Sequence, residues 1–410
     1  MKLFQTLILL FLTQTLFANT IEVGKNKVVS TLREGIARAQ HGDTILLEKG
    51  TYKEGNIIIT KSIHLIGVDD PVLDGENKYE ILTVSGTGIV IRGIHFKNSG
   101  YSSQNDYASI SFVNASHFII ENNTITHAFF AIHIANAEYG IIKNNTIVGT
   151  PKTEQTSGNG IHLWKCTNMI VEDNDIQGQR DGIYFEFVGH SVVQGNYSHN
   201  NIRYGLHFMF SNDDAYTHNT FKENGAGIAV MYSKFMVMYN NTFEYNWGPS
   251  AYGVLLKEIS DSRLYNNTFL QNSTGVVMES TNRIEVAQNN FLNNGWALRI
   301  QASCAESDIH HNNFSSNTFD VATNGTLQLN RFYRNYWDNY DGYDLNRDGT
   351  GDVPYHPVSL YSMVIEQNPN SLMLLRSFMV SLLDRAEKAI PSLTPEALVD
   401  DQPLMKPLAL

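Results

Sequence analysis

Imidazole and thioether groups recur in this 410-residue chain at spacings that could gather them. His207, Met209 and Met231 would bring one ring nitrogen and two sulfurs to a small patch, a soft ligand set that suits Cu(I). His133, His162, Tyr184, His207 and Ala229 fall in one row, and Trp164, Glu186, Met209, Met231, Lys257 and Glu279 in the next. Histidines and aromatics lined up in this way are also a common structural or binding surface, so His133, His162, Trp164, Tyr184 and Glu186 are read as a partner or ligand face. Met169, Met238 and Met278 read as packing, and His310-His311 as a solvated turn. A second candidate is the run Asp344, Asn346, Asp348, Gly349 and Asp352, whose alternating oxygens resemble a calcium loop. Its twelfth position is Tyr355, where such loops place a bidentate Glu. For catalysis the best available groups are Arg180, Asp181, Glu186 and Lys257, spread over the chain without pairing. No serine-hydrolase elbow, zinc-protease helix, phosphate-binding loop or CxxC is present, so no enzyme is expected.

A repeat must position these residues. Asn122-Asn123-Thr124-Ile125, Asn144-Asn145-Thr146-Ile147 and Asn240-Asn241-Thr242-Phe243 are copies of one motif. Its second polar residue falls at 123, 145, 174, 196, 219, 241, 267, 289 and 312, mostly 22 or 23 apart, with gaps of 29 and 26. Before most of these pairs stands Gly followed by strict alternation, as in Gly160-Ile161-His162-Leu163-Trp164 and Gly205-Leu206-His207-Phe208-Met209. Period-two alternation is a strand with one buried face. One such unit cannot bury its apolar side alone, but stacked units can. The expected fold is therefore all-β: a right-handed parallel β-helix of about ten coils over 43–335, irregular over 43–100. Inward residues would alternate with the outward rows above, and stacked asparagine amides would bond from coil to coil.

The ends differ from the repeat. Lys2 and the apolar run 3–11 read as a secretory signal over residues 1–18, which places the mature chain in the periplasm. Residues 30–40 read as a short helix capping the first coil, with an N-cap Ser or Thr and Leu32, Ile36 and Ala39 inward. The β-helix domain spans 19–358. In the tail, 359–410, residues 370–389 read as one amphipathic helix with Leu372, Leu375, Met379 and Leu382 on one stripe, suited to capping or docking. The net charge of −12 argues against nucleic acid as a partner. Cys166 and Cys304 fall six coils apart, roughly 29 Å at the strand spacing, too far for a disulfide.

Three stretches together resemble the NosD family. They are Gly35-Ile36-Ala37-Arg38-Ala39 with Gly42-Asp43-Thr44-Ile45 and Gly50-Thr51-Tyr52; the block from Asn335-Tyr336-Trp337-Asp338 through Gly351-Asp352-Val353-Pro354-Tyr355; and the tail Leu383-Asp384-Arg385-Ala386-Glu387 to Met405-Lys406-Pro407. The likeness implies a periplasmic maturation factor for nitrous-oxide reductase. Such a factor would help assemble the copper–sulfide cluster, beside an ABC transporter's membrane subunit and ATPase and a copper chaperone. The family supplies no copper-ligand motif to carry over, so the His/Met patch rests on the residues alone. A secreted protein that binds or cleaves polysaccharide, with Trp164 and Tyr184 stacking on sugar, and a structural surface solenoid are the competing readings.

Overall fold

The computed structural model describes residues 18–102, 104–151, 153–325, 329–390 and 398–410. The expected signal segment, apart from Ala18, lies outside the described residues. The chain winds into a parallel β-solenoid of about 14 turns. Its strands form one sheet of 25 and one of 13, and all pairings between named strands are parallel. Register follows the alternation in the sequence: Ile161 pairs with Ile183, and Ile183 with Leu206. These inward residues are fully buried, as are Ile228, Val254, Val276 and Leu298 further along the column. In the smaller sheet Phe221, Phe243, Phe269, Phe291, Phe314 and Trp337 stack face to face at 4.1–5.4 Å.

The solenoid is longer than the repeat alone suggests. Thr20–Val23 already pairs with Thr44–Leu47, and 43–100 winds in register with the later turns. The early turns lack the asparagine pair and close by other means. Asp43, for example, accepts from the backbone N–H of Asn19 and Gln40.

From Asn123 onward the turns are tied by a buried amide ladder. Asn123 donates its backbone N–H and its side-chain amide to Asn145 Oδ1, both at 3.1 Å. The same pair of bonds recurs through Asn174, Asn196, Asn219, Asn241, Asn267, Asn289 and Asn312 to Asn335. The preceding residue of each pair turns the corner at positive φ, which favours Asn, Asp and Gly there. A second ladder, not anticipated, runs from Asn201 through Asn224, Asn246, Asn272 and Asn294 to Asn317. Cys166 and Cys304 are both free and buried, as their separation requires.

The N-terminal cap is α1 (Leu32–Arg38), with Thr31 accepting from the Glu34 backbone and Leu32, Ile36 and Ala39 buried. The C-terminal tail departs from the single helix expected over 370–389. It forms α2 (Leu360–Gln367), a 3-10 turn (Pro369–Leu374) and α3 (Phe378–Ala389). Pro369 cannot donate to a continuing helix, and Ser377 caps a fresh start by accepting from Val380 N. The stripe is therefore split. Leu375 is partly buried, Leu372, Met379 and Leu382 are exposed, and Val380 packs with Phe319, Tyr361 and Ile365.

The end of the solenoid is closed by the last stretch of chain. Asp400, fully buried, takes the ladder's final place: its Oδ2 accepts from Asn335 N, Asn335 Nδ2 and Trp337 Nε1 at 3.0–3.1 Å. Asp400→Ala would strand three buried donors, each costing about 1–3 kcal/mol. We expect it to lower unfolding free energy by about 3 kcal/mol or more, whereas Asp400→Asn, which restores the ladder's own chemistry, should cost about 1 kcal/mol. Equal losses for the two in urea denaturation would refute the capping role.

Candidate functional site

His162, Tyr184 and His207 leave the coil outward from aligned positions on successive turns. They are nevertheless enclosed, with His162 8% and His207 6% exposed. The contacts that enclose them come from neighbouring rings, Phe130 and His133 on His162 and Tyr184 and Tyr204 on His207. The long gaps lie close by: Gly158 O accepts from Arg180 N, and Tyr252, beside the excess of the 26-residue gap, stacks on Tyr204. Alternation reports only whether a side chain leaves the coil, and what packs on it there decides whether it meets water.

The rings form one continuous file. His133 meets His162 at 4.9 Å, His162 meets Tyr184 at 4.7 Å, and Tyr184 meets His207 at 4.8 Å between centroids. Phe130 closes the near end and Tyr204 packs on His207. Tyr184 is half-buried between the two histidine rings, and half-buried Trp164 carries Lys165 Nζ 4.3 Å over its ring. Tyr184 Oη lies 3.6 Å from Met209 Sδ, and Met209 is register-paired with Met231. The His207–Met209–Met231 set is therefore brought to adjacent positions on two neighbouring turns. Glu186 lies between Trp164 and Met209 in the same row, and Lys257 pairs with Glu279 at 3.6 Å.

Burial sets the charge state here. It holds His207 down to about 4, against the pull of Asp181, and it pushes His162 well below its ordinary value. His133 moves the same way for the same reason. Neither ring nitrogen of His207 has a hydrogen-bond partner among the described residues. A neutral, buried imidazole with free nitrogens beside thioethers fits a soft monovalent ion. No group of three or more His, Cys, Asp or Glu is gathered for a harder metal among the described residues.

Other expected sites resolve differently. In the 344–352 loop, Asp344 accepts from the Asp348 and Gly349 backbones, Asn346 from Asp348, Asp348 from Thr350, and Asp352 from Leu345. These oxygens close the loop by themselves. His310 and His311 are partly buried, with His310 stacked on Tyr333 at 4.8 Å. Of Arg180, Asp181, Glu186 and Lys257, expected to be without pairing, Asp181 is fully buried and gripped by Arg203 through Nε at 2.8 Å and again through Nη2, with Arg180 Nε 3.7 Å from its Oδ2. Arg203 lies one turn on, just ahead of the strand that carries His207, and only the register reveals the pairing.

A family model described as periplasmic copper-binding protein (NosD) matches residues 143–342, the turns that carry this face. The match spans the central turns of the solenoid. A probable ABC transporter binding protein NosD of Pseudomonas aeruginosa is 28% identical over 381 residues, 88% of this chain and 87% of that one. A NosD relative of the same description from Stutzerimonas stutzeri is 24% identical over 196 residues, covering 43% and 44%. Among solved structures, the Dettilon tailspike protein aligns with TM-score 0.58 at 11% identity, over 76% of this chain and 70% of that one. The catalytic unit of a thermostable α-1,3-glucanase from Streptomyces thermodiastaticus aligns with TM-score 0.59 at 12% identity, over 75% and 62%. These two share the fold alone. The NosD match agrees with the family resemblance of the opening, Tyr-Trp block and tail. No described helix is long and apolar enough to cross a membrane.

The histidine file makes an acid-side prediction. Folded His207 titrates near 4, and an unfolded histidine near ~6.5. The unfolded chain takes the proton first, so the stabilisation is complete above about pH 6.5 and is lost as pH falls toward 4. We expect His207→Gln to recover about 2–3 kcal/mol of the metal-free protein's stability loss between pH 7 and pH 4. Parallel pH profiles for wild type and variant in urea denaturation would refute this.

Proposed function

We propose that this protein is a periplasmic accessory factor in assembly of the copper–sulfide centre of nitrous-oxide reductase. It works with an ABC transporter, a membrane subunit plus its ATPase, and with a copper chaperone. Copper is cargo in this reading. The observation that carries it is His207, buried, neutral and without a hydrogen-bond partner among the described residues, beside Met209 and Met231. The description of the matching family as periplasmic and copper-binding supports the same reading, as do relatives named for binding an ABC transporter. The 344–352 loop, which satisfies its own oxygens, adds little support for calcium.

Isolated protein should hold Cu(I) against a competing chelator about tenfold or more tightly than the His207→Ala/Met209→Leu/Met231→Leu variant. In cells, the same variant should yield reductase lacking the visible absorption of its copper–sulfide centre. Indistinguishable competition curves would remove this site, whatever the cells show.

The tail suggests where a transporter would dock. Met373 and Phe378 are 88% and 82% exposed, and Leu374, Met379 and Leu382 lie beside them in sequence with half or more of their surface free. A monomeric protein seldom leaves so many large apolar side chains in water without a partner. The cap is a separate device, Asp400 and its neighbours, so truncation before residue 365 would remove both. Point changes separate them. Phe378→Ser/Met379→Ser/Leu382→Ser should leave thermal stability within about 2–4 °C and abolish co-purification with the membrane subunit and ATPase. Retained co-purification would place the docking surface elsewhere.

The polysaccharide reading keeps one observation in its favour, a cleft of about 720 Å³ lined by Trp247, Tyr252, Trp296, Leu372 and Leu375. Trp247 is 66% exposed there.

A further inference from the structure

Two arginines meet a single buried carboxylate at the edge of this face. Asp181 is fully buried and doubly bonded to Arg203. Arg180, whose backbone O accepts from Arg203 N at 2.8 Å, stands one turn away. Its Nε is 3.7 Å from Asp181 Oδ2, beyond hydrogen-bond length, and this buried atom has no hydrogen-bond partner among the described residues. Two guanidinium groups therefore share one carboxylate. Glu154 acts on Arg203 through space, and no ion pair joins them among the described residues.

Polar atoms without partners collect around this pair. His162 is more than nine-tenths buried, and its Nδ1 lies 3.5 Å from Asn159 Nδ2. His162 Nε2 and Asn159 Oδ1 are both without a partner among the described residues. His207, equally buried, approaches Asp181 Oδ2 through Nδ1 at 4.0 Å, too far to bond, and carries a free N–H. Leaving buried donors unpaired costs about 1–3 kcal/mol each. A cationic, donor-rich pocket of this kind is completed by an anion.

We infer that Arg180 and Arg203, with a ring N–H group of His207, form a binding site for a carboxylate. Guanidinium forks match the planar, two-oxygen geometry of a carboxylate. Arg180 Nε makes no hydrogen bond among the described residues, and Arg203 is held rigid by Asp181 and lies over the Tyr204 ring at 4.8 Å. The site shares His207 with the proposed copper set and does not require that copper bind there. The carboxylate could belong to a free small acid or to an acidic sugar, and the choice of probe separates these sources.

The test uses full-length, metal-free protein at constant ionic strength, titrated by calorimetry with acetate, with glucuronate, and with chloride as control. Acetate or glucuronate should bind saturably and raise the melting temperature, and chloride should do neither. Tighter binding of glucuronate points to an acidic sugar, and of acetate to a free small acid. Arg180→Gln should weaken binding at least tenfold while leaving the ligand-free melting temperature unchanged or higher, since it removes the second of two guanidinium charges at one carboxylate. Arg180→Lys, which keeps the charge without the fork, should fall between the two and serves as the readout if the glutamine variant does not fold. No saturable binding of either acid, or equal binding by wild type and both variants, would overturn the site. Because no copper is present, either result leaves the Cu(I) competition to be decided separately.

Discussion

A buried side-chain amide that must find its copy on the next turn constrains everything else in this molecule. Each asparagine of the main ladder gives two N–H groups to one oxygen and takes the same pair from its predecessor. A turn that slipped by one residue would break both sets of bonds and rotate its apolar side chains to the wrong face. Residues in excess of the repeat cannot be absorbed by the coil, because the ladder fixes where each turn begins and ends. They must leave as loops, and the two largest excesses, before Asn174 and before Asn267, make contacts beside the same outward face. The scaffold rule that gives the fold its regularity therefore also sets where loops meet the site.

Enclosure changes the chemistry of ordinary residues. Histidines on an open β-solenoid face would titrate normally and hydrogen-bond to water. Enclosed by neighbouring rings they are neutral, hold ring nitrogens without partners and stand in a file with Tyr184. Burial also removes water from Asp181, which then holds Arg203 in a fixed geometry beside the less committed Arg180. The proposed soft-metal patch and carboxylate site lie within a few turns of each other, on residues that an open surface would leave unremarkable.

Much of this was legible in the sequence, for a physical reason. Repetition at 22 residues reports a translational contact, so each column could be read by counting, and so could the separation of Cys166 from Cys304. The capping helix at Leu32–Arg38 announced itself through Thr31 and its buried spacing. What counting could not supply was anything set by non-repeating segments. The burial of His162 and His207 depends on contacts from outside their column, among them Phe130 and Tyr204, which the period does not report. Arg203 reaches back across a turn to Asp181, and a side chain's direction along the axis leaves no trace in spacing. The break in the tail was signalled by Pro369, which the apolar stripe obscured. Asp400 closes the ladder from 65 residues beyond Asn335, a distance over which the repeat has already ended.

The fold alone says little about the work done. A tailspike and a glucanase share the coil at 11–12% identity, so the stacked sheets are a frame that accommodates unrelated activities. The NosD relative from Pseudomonas aeruginosa aligns over 88% of this chain, and the family model begins at residue 143, ahead of the turns that carry His162 and His207. An inward isoleucine serves any of these proteins equally well. A neutral His207 beside two thioethers does not, and neither do two arginines sharing one buried carboxylate, because each lowers stability unless a ligand or partner compensates. The residues that the solenoid could most readily do without are therefore the ones that tie this chain to a particular task.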